Sequence, residues 1–294
     1  MRFTARCIKR LSHAVSQPTS QSLFLLLSPW HIFANLWRHR DLAWQFTLRE
    51  IQIRHKGSQL GVVWALLNPL SMLVLYAFVF RLLFRSKFGV LPNETDYDFT
   101  LQLFLSLSLF HVFAETLSWA PSLIISNPNF VKKVVFPLEV LPVAKIGDTT
   151  FHLVVSLALV LIGSAFGSSG LGWSLLWLPV LVLPLLVLAL GLAWAFAALG
   201  VFVRDISQVI GFVATAVMFG SAIMYPPRMI PPAIYEFLRF NPLLQLVDVS
   251  RHVLFGHEAV DWMKLGYVYA CAVLALLAGH VFFSLLRRSF AEVI

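Results

Sequence analysis

The chain has 294 residues, of which 59% are hydrophobic and only 12% charged, against roughly 25% charged residues in a soluble domain. A soluble fold of this size would lack the polar side chains to cover its surface, so lipid must take part of that role. The net charge of +8 sits on residues that flank apolar runs. The positive-inside rule and anionic headgroups account for it, and nucleic acid is not expected as a partner.

Residues 1–36 read as an N-terminal cytoplasmic extension. Arg2, Arg6, Lys9 and Arg10 make it basic, but the apolar stretch Leu23 to Leu27 is too short for the core of a signal peptide, so no cleavage is expected. Residues 37–58 follow as an amphipathic interface helix. Within it Leu42, Phe46 and Ile53 fall on one face, Trp44, Leu48 and Ile51 on nearly the opposite one, and Arg49 and Lys56 on a third. Two apolar faces suit a helix lying in the membrane surface, one side on lipid and one on protein.

Residues 59–294 form the membrane domain. A crossing takes about 20 apolar residues. Gln59 to Phe80 carries no charge and begins span 1 (about 59–84), with a kink expected at Asn68-Pro69. Span 2 covers about 99–120. From Thr149 to Val203 there are 55 residues without a charge, which as one helix would be about 80 Å long. That run must therefore fold back, and Gly167-Ser168-Ser169-Gly170 marks the turn between span 3 (146–166) and span 4 (176–202). Span 5 is placed at 206–225 and span 6 at 265–286.

An even number of spans puts both termini on one side. The segments on that side hold 15 of the 22 lysines and arginines, while Glu94, Asp96 and Asp98 lie opposite. Both termini are therefore expected in the cytoplasm, with the chain in an inner (plasma) membrane. Cys7 and Cys271 stand in different environments, so no disulfide and no zinc site is expected.

The loops carry further signals. Pro128 and Pro137 bracket Asn129 to Phe136, about two helical turns at the cytoplasmic surface, with Lys132 and Lys133 suited to a docking helix. Pro226 to Lys264, on the far side, is too broken by proline to span. Its amphipathic pieces 234–240 and 243–255 suggest re-entrant helices dipping into the outer leaflet. His111 and Glu115, and Asp148 and His152, stand four apart on spans 2 and 3. Each pair shares a helix face, either to neutralise itself or to relay protons, as a stand-alone secondary transporter would require. No phosphate loop, H-E-x-x-H or G-x-S-x-G motif occurs in the sequence, so neither catalysis nor ATP binding is expected of this chain.

Four stretches resemble the membrane subunits of ABC-2 type polysaccharide exporters. They are RHKGSQLGVVWALLNPLSMLVLYAFVF (54–80), NPNFVKKVVFPLEVLPVAK (127–145), RFNPLLQLVDVSRHVLF (239–255) and SFAEVI (289–294). The resemblance implies an all-α integral membrane fold of six spans and a homodimer paired with two copies of a cytoplasmic ABC ATPase. It implies that ATP and Mg are bound by that partner, and that the substrate is a lipid-linked polysaccharide such as O-antigen, capsule or teichoic acid, moving through a channel at the dimer interface. Carried over by motif, Asn129, Lys132, Lys133 and Glu139 would contact the ATPase. Arg49, Arg54 and Lys56, on the segment leading into span 1, are candidates for the lipid pyrophosphate headgroup. Trp64, Tyr76 and Phe80 on span 1 and Phe212 and Phe219 on span 5 are candidates for the channel lining. An ABC-2 exporter of drugs or small lipids would share the fold but not the substrate.

Overall fold

The computed structural model describes residues 29–79, 87–132, 136–168, 170 and 172–294. Phe80, Lys133 and Cys7, with the rest of residues 1–28, lie outside the described residues. Every regular element among those described is helical. In chain order they are α1 (Pro29–Arg38), α2 (Arg40–Arg54), α3 (Trp64–Val79), α4 (Asp96–Leu123), α5 (Pro128–Lys132), α6 (Val140–Ser164), α7 (Leu178–Phe202), α8 (Ile206–Gly220), α9 (Pro232–Leu238), α10 (Pro242–Leu254), α11 (Trp262–Leu286) and α12 (Phe290–Val293).

Five segments are long and apolar enough to cross a bilayer: Gly61–Val79, Asp96–Leu123, Val140–Ser164, Trp173–Phe202 and Trp262–Val293. They match the expected spans 1, 2, 3, 4 and 6. One apolar cluster gathers Ile32, Ile124, Leu138, Trp194, Val201, Phe283 and Phe290. The N-terminal helices, the α4–α6 connection and the C-terminus therefore meet at one end of the molecule, here called the terminal end; the other end is distal.

Small residues set the core. α7 and α11 cross where Gly191 meets Gly279, and a Cβ added to Gly279 would sit 1.9 Å from the Gly191 carbonyl oxygen. A Cβ on Gly200 would lie 2.1 Å from the carbonyl oxygen of Pro121, so α7 also meets α4 backbone to backbone. Such approach replaces the hydrophobic driving force that lipid cannot supply. The resulting trio encloses Trp194, whose indole N–H donates to the Glu139 carbonyl at 3.2 Å. The 18-residue apolar core of α4 is 67% buried, whereas that of Gly61–Val79 is only 6% buried. α3 is thus an outer helix.

The distal end is held by specific caps. Thr95 and Asp98 form a capping box at the start of α4. Asp98, fully buried, also accepts from the Ser168 backbone N–H at 3.0 Å and from its hydroxyl. The expected α6–α7 turn is therefore pinned to the start of span 2. Gly170 in that turn adopts φ +64, the left-handed conformation that glycine takes without strain.

Span 5 differs from expectation. The sequence suggests helix through residue 225, but α8 ends at Gly220, leaving a helix about 22 Å long. The end is stabilised by donors from elsewhere in the chain. The Asn241 side-chain amide donates to the Gly220 carbonyl at 3.1 Å and to the Ser221 hydroxyl at 2.9 Å. Its carbonyl oxygen accepts from the Leu243 N–H at 3.0 Å and so caps α10 as well. Ala222 then turns with φ 49. In the distal segment, α9 carries exposed Ile234 and Phe237, while α10 is packed among α4, α7 and α11 with most of its residues buried.

Because the α7–α11 crossing has no room for a side chain, Gly279→Leu is expected to abolish accumulation of folded protein in membranes. Gly266, with open space around its Cβ position, should accept alanine at the same yield and gain about 0.5–1 kcal/mol of helix propensity. Size-exclusion profiles of the two variants in mild detergent check this.

Candidate functional site

The site is built at the terminal end, where α2 lies across α6. α2 starts near Asp41 and ends at Arg54, a charge order that suits the helix dipole. Its middle seats on Gly147, a small residue that leaves room. Thr47 is buried, its hydroxyl lies 3.3 Å from the Ala144 carbonyl, and a Cβ on Gly147 would stand 2.5 Å from that hydroxyl oxygen. Phe33, Trp37, Trp44 and Leu48 point away from the protein. Phe46 points inward, 5.5 Å from the Phe130 ring and 5.3 Å from Phe136. The two-faced pattern expected of this helix is present. Ile53, grouped with Phe46 by helical spacing, is exposed instead, because α2 ends one residue later and the chain turns.

Past Thr47 the contact becomes ionic. Lys145 bridges Glu50 at 3.1 Å and Asp148 at 3.5 Å. Arg54 reaches Glu115 of α4 at 2.5 Å and Asp148 of α6 at 3.3 Å. His111 stands 3.4 Å from Glu115, and His152 stands 3.6 Å from Asp148. The His55 ring, buried beside His152 at 5.4 Å, has its pKa lowered by burial first and by the His152 and Arg54 charges next. The shift favours the neutral ring. Asp148 has no exposed surface; a carboxylate so placed is tolerable only with cations this close.

The two His–carboxylate pairs noted in the sequence are thus parts of one network, closed by Arg54 and Lys145. Spacing along one helix did not show this. The available signal was that Glu115 and Asp148 lie near the ends of consecutive spans, hence at one depth. Of the residues expected to meet a lipid headgroup, Arg54 is held by two carboxylates. Arg49 lies over the Phe46 ring at 5.6 Å, and Lys56 is exposed.

The expected docking helix, Asn129 to Phe136, is in the structure a five-residue helix, Pro128–Lys132. Asn127 closes the end of α4 by donating its side-chain amide to the Leu123 carbonyl at 2.9 Å. Asn129 and Lys132 are exposed, as a docking surface requires. Glu139, grouped with them by motif, is not on that surface. It is 5% exposed and accepts from Arg287 at the C-terminal end of α11, so it braces the segment from within. Phe130, Val131 and Phe136 pack into the cluster that contains Phe290 of α12.

The channel-lining candidates divide. Trp64 on α3 and Phe212 and Phe219 on α8 are exposed, Phe212 to 76%. Val62, Leu66, Leu70 and Val209 are exposed with them. Tyr76 instead packs, half-buried, against Phe88, Phe99 and Leu103.

A chain of apolar helices with a charged interface helix and an exposed helical loop at one end, and broken helices at the other, is a multi-pass membrane protein in form. The sequence profile of the ABC-2 type transporter family matches residues 41–255, and the chain belongs to that family. It is 29% identical over 260 residues to the O-antigen export system permease protein RfbA of Myxococcus xanthus, covering 87% of this chain and 96% of that one. It is 26% identical to the protein of the same name from Klebsiella pneumoniae (86% and 95% covered). To the polysialic acid transport protein KpsM of Escherichia coli it is 25% identical (79% and 88% covered).

Removing Arg54 leaves Asp148 buried with Lys145 as its remaining strong counter-ion. Arg54→Ala is expected to lower the thermal unfolding midpoint in detergent by about 5 °C, an effect on the order of 2 kcal/mol. Adding Asp148→Asn should recover part of the loss, because the unpaired buried charge is then gone. A double-mutant cycle on the two positions measures the coupling.

Proposed function

We propose that this chain is the membrane subunit of an ATP-driven exporter that moves a lipid-linked polysaccharide, of the O-antigen type, across the inner membrane. In this reading two copies form a homodimer, both termini are cytoplasmic, and the terminal end described above faces the cytoplasm. Two copies of a separate ABC ATPase bind there and supply ATP and Mg. The shortened α8, with the capped residues that follow it, counts as span 5 of six, and α9 and α10 are re-entrant elements of the outer leaflet.

The observation that carries the proposal is the distribution of exposed apolar surface. α7 is packed between α4 and α11, whereas α3 and α8 leave Trp64, Leu70, Phe78, Phe212 and Phe219 uncovered. A second copy meeting these faces would enclose a passage walled by aromatic and aliphatic side chains. Flat apolar rings pack on sugar C–H groups without strong polar anchors, which suits a long polymer that must not stall. Similarity to permeases of O-antigen and polysialic acid systems supports the substrate class.

Mechanistically, closure of the ATPase dimer on ATP pushes on α5. α5 shares an apolar cluster with Phe46 of α2 and with the end of α11, and α2 is tied through Arg54 to α4 and α6. A push on α5 thus reaches the spans through these contacts, and α3 and α8 move against their dimer mates. A proton-coupled transporter is less well supported, because the carboxylates of both His–carboxylate pairs are held by Arg54, and Asp148 by Lys145 as well.

The test is purification of the tagged chain from its native membrane. A stoichiometric ATPase subunit should come with it. Lys132→Glu combined with Lys133→Glu should leave the permease dimer intact but cut ATPase recovery and surface polysaccharide at least ten-fold. Full recovery and full export in that variant would sink the docking role of α5.

A further inference from the structure

At the distal end one arginine is buried within the apolar core. Arg251 on α10 is 2% exposed. All three of its nitrogens donate: Nε to the Ser106 hydroxyl on α4 at 2.7 Å, Nη1 to the Ala222 carbonyl at 3.0 Å and Nη2 to the Ile223 carbonyl at 2.6 Å. The flat face of the guanidinium lies over the Phe88 ring at 3.8 Å. Phe88 in turn stacks on Phe99 at 4.6 Å. The Phe88 and Gly89 backbone N–H groups donate to the Glu94 carboxylate at 3.1 and 2.6 Å, and Gln102 donates to the same carboxylate at 3.0 Å.

These contacts draw together pieces that the chain keeps apart. Ala222 and Ile223 follow the early end of α8, and their carbonyls have no helical partner. Phe88 belongs to the loop between α3 and α4. Tyr76 of α3 and Met224 after α8 pack on the same Phe88–Phe99–Leu103 cluster. On the surface above it, Arg228 donates to the Lys87 carbonyl at 3.4 Å. The distal ends of the two helices with uncovered faces, α3 and α8, therefore meet at one point, and Arg251 is its centre.

We propose that Arg251 is a positioning residue for transport: it locks the distal ends of α3 and α8 to α4 and α10 so that the two helices move as one body about that point. The inference rests on the proposed exporter function for the meaning of the motion. The lock itself stands on geometry. A guanidinium is needed because three separate nitrogens and one planar face are all used; an ammonium has one charged atom and no face. Asp248 and Glu94 act on this charge only from beyond ion-pair distance, and a charge buried so deeply on those terms is costly, which argues for a specific role rather than incidental packing.

Arg251→Lys keeps the charge and so separates the two explanations. Hydrogen exchange is followed by mass spectrometry on the full-length chain in lipid vesicles, and export and ATP hydrolysis on the chain with its ATPase. The expected result is faster exchange confined to residues 87–95 and 220–225, at least ten-fold slower export, and ATP hydrolysis within two-fold of the parent. Parent-level export by Arg251→Lys, or faster exchange spread evenly over the chain, would overturn the proposal. If Arg251→Lys does not accumulate, Phe88→Leu removes only the stacked ring. It should give the same local pattern at smaller amplitude, and unchanged exchange in those two segments would overturn the lock. An unaltered complex that exports no polysaccharide would refute the exporter reading while leaving the exchange result to decide the lock.

Discussion

In hydrocarbon there is no water to accept or donate a hydrogen bond, so a helix that stops short inside a membrane domain must have its open carbonyls satisfied by the protein. α8 stops at Gly220, and the architecture of the distal end follows from that. Gly220 is closed by Asn241, and Ala222 and Ile223 are closed by Arg251. Both donors come from the segment around α10. That segment must therefore be packed into the core instead of floating as a loop, and its burial among α4, α7 and α11 is the consequence. Asn241 serves two helix ends because its amide has donors on one side and an acceptor on the other. Aspartate, with the same shape, would lack the donors for Gly220.

The terminal end solves a different problem, that of holding an amphipathic helix on a membrane domain. α2 has little apolar surface facing the protein beyond Phe46, so its seat depends on Thr47 against Gly147 and on the ionic contacts that follow. Each of these carboxylates has at least one cation within 3.5 Å. Because Arg54 binds Glu115 and Asp148 at once, it ties α4 to α6 as well as α2 to both. Phe46, eight residues before Arg54 and on the aromatic cluster with Phe130 and Phe136, joins the same helix to the docking loop. α2 is thus fixed at two separated points, one apolar and one ionic.

Much of this was legible in the sequence. Long apolar runs, and the glycine turn that divides the longest of them, gave the five segments that are long and apolar enough to cross a bilayer, since helix length there is set by bilayer thickness. The turn at 167–170, the short helix after Pro128 and the two helices between Pro231 and Phe255 also followed from glycine and proline. What was not legible depends on contacts between distant residues. The charge-free sequence through Tyr225 gives no hint that α8 ends at Gly220, because the reason lies in donors at positions 241 and 251. Glu139 was grouped with Asn129 and Lys132 by motif, and only its contact with Arg287, 148 residues away, shows that it faces inward. Tyr76 looked like its neighbours on span 1 until the Phe88 loop was seen to fold over it.

The two ends differ in the kind of bond they use, and the difference has a mechanical meaning. The distal contacts that close the end of α8 are hydrogen bonds from buried donors to backbone carbonyls, which have one good geometry and resist sliding. The terminal contacts that follow Thr47 on α2 are ion pairs between flexible side chains with partial exposure, such as Arg54 at 33%, which tolerate a change of angle and can exchange partners. Among the described residues none of these ion pairs includes α3 or α8, so those two helices are tied by the distal lock and not by the terminal network, which leaves a pivot about the lock open to them. α3 and α8 cover little of the core along their length, so little packing resists that pivot. The largest displacement would then occur at the terminal end, next to the exposed loop where a partner would push.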